Sequence, residues 1–83
     1  MYTITITTGD FTKDYVLNYW KDNTIINSEL VAAADLTRFL AERIDIDKVL
    51  LAGNREFNYG LKEEIERLIA TEYADNTMKI EVI

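Results

Sequence analysis

Residues 2–8, Tyr-Thr-Ile-Thr-Ile-Thr-Thr, set Tyr2, Ile4 and Ile6 against Thr3, Thr5 and Thr7 with a period of two. That alternation, built largely from β-branched residues, suits a strand with one face in a core and the other polar. A chain that begins this way has to build a sheet and cover one side of it. Gly9-Asp10 then signals a turn.

The next segment reads two ways. Tyr15, Leu17 and Tyr19 alternate with Val16, Asn18 and Trp20, as in a strand. Phe11, Tyr15 and Tyr19, flanked by Val16 and Trp20, also trace a helical face with Asp10 as its cap. The aromatic and β-branched content favours the strand. Lys21-Asp22-Asn23 is turn-like, and Thr24-Ile25-Ile26 suits a third, short strand.

From Ser28 onward the spacing predicts a helix. Asn27 or Ser28 serves as cap, Glu29 stands in the first turn, and Leu30, Ala33, Ala34, Thr37, Leu40, Ala41 and Ile44 form the apolar stripe. Asp47–Gly53 follows as an inner strand. A second helix carries Leu61, Ile65, Leu68, Ile69 and Tyr73 on one face, with Lys62–Glu66 and Glu63–Arg67 one turn apart on the other. Met78, Ile80 and Val82 alternate with Lys79 and Glu81 in a last strand. The expected fold is α/β (or α+β): one domain over residues 1–83, a mixed sheet of four or five strands and two main helices. Short links imply parallel pairing of the last strands, with the first joining them antiparallel. Two helices cover one face of such a sheet, leaving the other to solvent or a partner.

Composition removes whole classes of chemistry. The chain has no histidine, which excludes imidazole bases, Ser-His triads and the usual zinc sites. It has no cysteine, so neither disulfides nor thiolate metal sites supplement the core. No apolar run approaches the roughly 20 residues that span a bilayer, and no basic leader precedes an apolar stretch, so no membrane association and a cytoplasmic location are expected. The net charge of -6, with bases and acids interleaved, makes direct nucleic-acid binding unfavourable.

Two glycines, Gly53 and Gly60, bracket a possible phosphate loop. Six residues separate them and Leu61 follows, which fits neither the P-loop nor the dinucleotide pattern. Glu63 and Glu64 would also oppose an anion at a helix start. The spacing of Phe57, Leu61, Ile65 and Leu68 instead suits a helix from Arg55 capped by Asn54. Gly60 is then an interior glycine costing about 1 kcal/mol against Ala, which points to close backbone packing or a helix break.

Residues 27–54 resemble the middle of ribonuclease H-like domains. Glu29-Leu30-Val31-Ala32-Ala33 matches the stretch in which that family places a Glu at the opening of its first helix. The order of strands, helix, strand, helix, strand is also similar. The resemblance implies a related fold and, in its fullest form, a metal site at Asp10, Glu29 and Asn54. The family's acid at the end of the following strand is Gly53-Asn54 here, and Asp10 lies just past the first strand. A neutral Asn is a weak ligand for a hard cation, so the resemblance implies the fold without two-metal nuclease activity.

Four aromatics, Phe11, Tyr15, Tyr19 and Trp20, fall within ten residues. Only one face of that segment can enter the core, so Tyr15, Tyr19 and Trp20 are expected to supply a docking surface. The expected function is that of a small acidic, non-enzymatic interaction protein without a cofactor. Its partner would be a second copy or a protein with a basic surface, on which it would act as an inhibitor or accessory subunit.

Overall fold

A computed structural model describes residues 1–8 and 14–83. The strands are β1 (Tyr2–Thr8), β2 (Asp14–Lys21), β3 (Thr24–Ala32), β4 (Ile46–Gly53) and β5 (Lys79–Val82). A 3-10 turn at Ala33–Asp35 leads into helix α1 (Leu36–Ala41), and helix α2 spans Arg55–Glu72. The sheet is mixed and five-stranded, in the order β3-β2-β1-β4-β5. The segment after β1 adopts the strand at Asp14–Lys21, while Gly9, Asp10 and Phe11 lie outside the described residues.

β1 sits at the centre, antiparallel to β2 and parallel to β4. The expected antiparallel pairing of the first strand with the last strands is therefore wrong. β3, antiparallel to β2, runs in the direction of β1, and the crossover through α1 returns the chain to the same end of the sheet, so β4 runs parallel to β1. β4 and β5 are parallel, as the connection through α2 requires.

The alternation in β1 is realised in full. Ile4 and Ile6 are buried with Leu17, Tyr19, Val49 and Leu51 beneath the helices, which contribute Leu36, Leu40, Leu61 and Ile65 to the same core. Thr3, Thr5 and Thr7 face the other way and keep contact with solvent. Both helices cover one side of the sheet.

The boundary between β3 and α1 departs most from expectation. Residues 28–32 extend β3 rather than opening a helix, because Leu30, Val31 and Ala32 pair with Val16, Tyr15 and Asp14. Ladder bonds along a full-length β2 outweigh the helical preference of a Glu-Leu-Val-Ala-Ala stretch. The apolar stripe shrinks accordingly: Leu36, Leu40 and Ala41 are buried, whereas Leu30 and Ile44 are exposed. α2 begins at Arg55 as expected, with the Asn54 side chain accepting from Phe57 N at 3.0 Å. Its buried face starts at Asn58, one position beyond the exposed Phe57.

The glycines behave differently from one another. Gly53 has φ +102, and a Cβ there would run into the Thr8 carbonyl where β1 and β4 end side by side. Gly60 lies in the middle of α2, and a Cβ there would meet nothing within 4 Å, so neither close packing nor a break explains it. Gly60→Ala should stabilise the fold by about 0.5–1 kcal/mol through helix propensity. Gly53→Ala should destabilise it by about 1–3 kcal/mol from backbone strain alone. Urea unfolding of both variants checks the opposite signs.

Candidate functional site

Neither helix covers the second face of the sheet. Its rows follow from the register. Ile25, Trp20, Thr3, Lys48 and Lys79 form one row, and Ser28, Asn18, Thr5, Leu50 and Glu81 the next. Leu30 and Val16 pair beyond them, 69% and 49% exposed. Trp20 Nε1 donates to Thr5 Oγ1 at 2.9 Å, which holds the indole against β1. An open depression of about 570 Å3 lies there, lined by Thr3, Thr5, Trp20, Asp22, Asn23 and Leu50.

The hairpin that closes one end is set by local chemistry. Asp22 and Asn23 have φ 52 and 64, the left-handed pair that a two-residue hairpin turn requires and that Asp and Asn tolerate. The charges on this face nearly balance, since Lys48 Nζ lies 3.3 Å from Glu81 Oε1. The acidity of the chain lies instead on the helical side, where α2 exposes Glu56, Glu63, Glu64, Glu66 and Glu72.

Tyr15, Tyr19 and Trp20 do not share a face. Period two in β2 sends Tyr15 and Tyr19 under the helices, 7% and 4% exposed, and leaves Trp20 alone on the open side. The expected three-aromatic surface does not form: of the three only Trp20 reaches the open face, where Val16 and Leu30 are exposed. The two tyrosines are core residues. Tyr19 packs edge-on against Tyr2 at 6.0 Å, and its hydroxyl donates to Glu29 while accepting from Arg43 Nη1 at 2.6 Å.

Arg43 organises this corner, and sequence reading did not single it out. Its guanidinium stacks over Tyr19 and Phe39 at 5.3 and 5.2 Å and pairs with Asp45 through two bonds of 2.8 Å. The hydrogen bond from Arg43 holds the Asp45 carboxyl below the usual carboxylate range, partial burial opposes it, and the guanidinium charge adds to the lowering. Glu29 is engaged in the same cluster, with Arg43 Nη1 at 3.5 Å.

The residues of the implied metal site are not assembled. Glu29 stands in β3 rather than at a helix start, and Asn54 follows β4. With strands spaced about 4.8 Å apart, three steps across the sheet separate them by roughly 14 Å. The Asn54 carbonyl oxygen of the side chain is already used as the α2 cap, and Asp10 lies outside the described residues. No group of three or more His, Cys, Asp or Glu able to hold a metal occurs among the described residues.

The end of β1 and β4 is closed by polar bonds instead. Asn58 is fully buried, accepts from the Thr8 hydroxyl and donates to Ala52 O at 3.0 Å. That arrangement fastens α2 to the sheet beside the Gly53–Asn54 turn. Among the described residues, no helix is long and apolar enough to cross a membrane. Comparison with protein families, curated proteins and solved structures finds no match to this chain.

Folded Asp45 titrates below its unfolded value. Its contribution to stability is therefore complete above about pH 4 and is lost as the pH falls through the folded value. Asp45→Asn should lower the urea midpoint at neutral pH, and the gap to the unaltered chain should close at strongly acid pH. A gap that persists unchanged in acid would show that the ion pair is not its source.

Proposed function

We propose that this chain is a small non-enzymatic interaction protein that engages a protein partner across the uncovered sheet face centred on Trp20. The observation that carries the reading is a partly buried tryptophan, pinned by Thr5 in a shallow depression, beside the exposed Val16 and Leu30 on a face that neither helix covers. Tryptophan on a rigid strand gives a large contact area at little conformational cost, which is the usual character of an interface anchor.

The charge distribution supports a division of labour. The near-neutral sheet face makes contact without strong desolvation of charge, while the acidic helical side biases long-range encounter toward partners with basic surfaces. An inhibitor or accessory subunit of such a partner fits this arrangement.

A ribonuclease H-like domain with a degenerate metal site is the second reading. It draws on the order of elements, three strands followed by helix, strand, helix and strand. Glu29 and Asn54 lend it no support, since one is tied to Tyr19 and Arg43 and the other caps α2.

Trp20→Ala should leave the fold intact and weaken partner binding by about 30-fold or more, the scale of a central anchor. The check is a comparison of proteins retained by immobilised wild type and variant, followed by titration of each retained protein against both. Trp20 is the only tryptophan, so its emission should shift as a partner is added. Equal affinity of every retained protein for both chains would contradict the proposal.

A further inference from the structure

The two edges of the sheet are built differently. β5 has four residues and alternates Lys79 and Glu81 with its apolar side chains, the charged pattern that discourages strand addition. β3 has nine residues, without Lys, Arg or Pro, and its only charge is Glu29. Thr24 to Ser28 and Leu30 are exposed along it, Ile26 at 50% and Leu30 at 69%. The Glu29 charge is offset only in part, since Arg43, at 3.5 Å, is shared with Asp45. A long edge with a single, partly compensated charge thus stands on a chain of net charge -6, whose remaining surface disfavours contact between copies.

We propose that a second copy of this chain pairs with the first along β3, strand against strand and antiparallel, about a twofold axis through Ser28. The product is a continuous ten-stranded sheet, five strands from each copy. A twofold axis normal to the sheet keeps both open faces on the same side, so opposed residues must belong to the same face of their strands.

That condition leaves few registers, and side-chain chemistry separates them. Centring on Glu29 opposes two carboxylates, which is unfavourable across a strand pair. Centring on Leu30 sets Glu29 against Val31, and centring on Asn27 sets it against Ile25. Centring on Ser28 places Ile26 opposite Leu30 of the second copy, twice by symmetry. It also places Asn27 opposite Glu29, where an amide can donate to a carboxylate. This self-complementarity selects a second copy over an unrelated strand. The register shift in β3 falls at Ile26, which is skipped between Asn27, opposite Tyr19, and Ile25, opposite Trp20, so regular pairing covers Asn27 to Glu29 of each copy and the Ile26–Leu30 contacts flank it.

The pairing goes beyond the reading of the Trp20 face. It leaves that face free on both copies and presents the two side by side, as a bivalent surface.

Sedimentation equilibrium over a concentration series, with the unaltered chain and four variants, tests it. The wild type should pass from monomer to dimer. Leu30→Lys should weaken dimerisation at least about tenfold with an unchanged circular dichroism spectrum. The chain contains no cysteine, so Ser28→Cys introduces a single thiol at the axis. Under mild oxidation it should give a linked dimer, whereas Leu30→Cys, four residues from its symmetry mate, should link poorly. A wild type that stays monomeric throughout, or a dimer untouched by Leu30→Lys, would overturn the proposal. So would efficient linkage of Leu30→Cys without linkage of Ser28→Cys. Trp20→Ala should dimerise normally, which separates failure of this pairing from failure of the Trp20 interface.

Discussion

Everything in this fold is referred to β1, because it is the central strand and its alternation decides which side of the sheet is dry. Ile4 and Ile6 lie at the midline of the buried face, with β2 and β4 placing Leu17, Tyr19, Val49 and Leu51 around them. A slip of one residue in either register would turn these side chains to solvent and bring threonines into the core. With 83 residues there are only two main helices to lay against the sheet, and both are used on that face. The open side is a direct consequence.

A few polar groups hold the perimeter of this thin core. Arg43 bridges the end of α1 to β3 and to the start of β4, with its charge shared between Asp45 and Glu29 and its plane against two aromatic rings. Asn76 donates to the carbonyls of Ala41 and Arg43 at 2.8 and 2.9 Å, satisfying acceptors left open at the end of α1. Asn58 and Thr8 do the equivalent work between α2 and the ends of β1 and β4. Among the described residues, no buried side-chain nitrogen or oxygen lacks a partner. In so small a domain an unpaired buried polar group would consume a large share of the net stability.

The parts of the fold legible in the sequence are those decided by local pattern. The alternation of β1, the start of α2 at Arg55 and its Asn54 cap depend on residues adjacent in the chain. The first helix starts eight residues beyond Ser28, five of them taken by β3 and three by the 3-10 turn, and that shift has a different cause. Ser28 to Ala32 carries a plausible helical spacing, but β2 offers it a complete ladder, and that partner lies ten or more residues away. The candidate surface was legible in part. The excess of aromatics in β2 was visible, yet assigning Tyr15 and Tyr19 to the core required knowing which parity faces the helices. Arg43, Asn58 and Asn76 gave no signal, because their partners are assembled only by tertiary contacts.

The two surfaces on which interaction is proposed, the Trp20 face and the β3 edge, both follow from a sheet closed on one side only. Methyl and indole NMR signals in the presence of a soluble paramagnetic probe, at a concentration that keeps the chain monomeric, test that asymmetry most directly. Val16, Leu30 and the Trp20 indole should broaden strongly, while Leu17, Val49 and Leu51 should be spared. Equal protection of the two sets would mean that the second face is covered, and the proposed interface would have no surface on which to form.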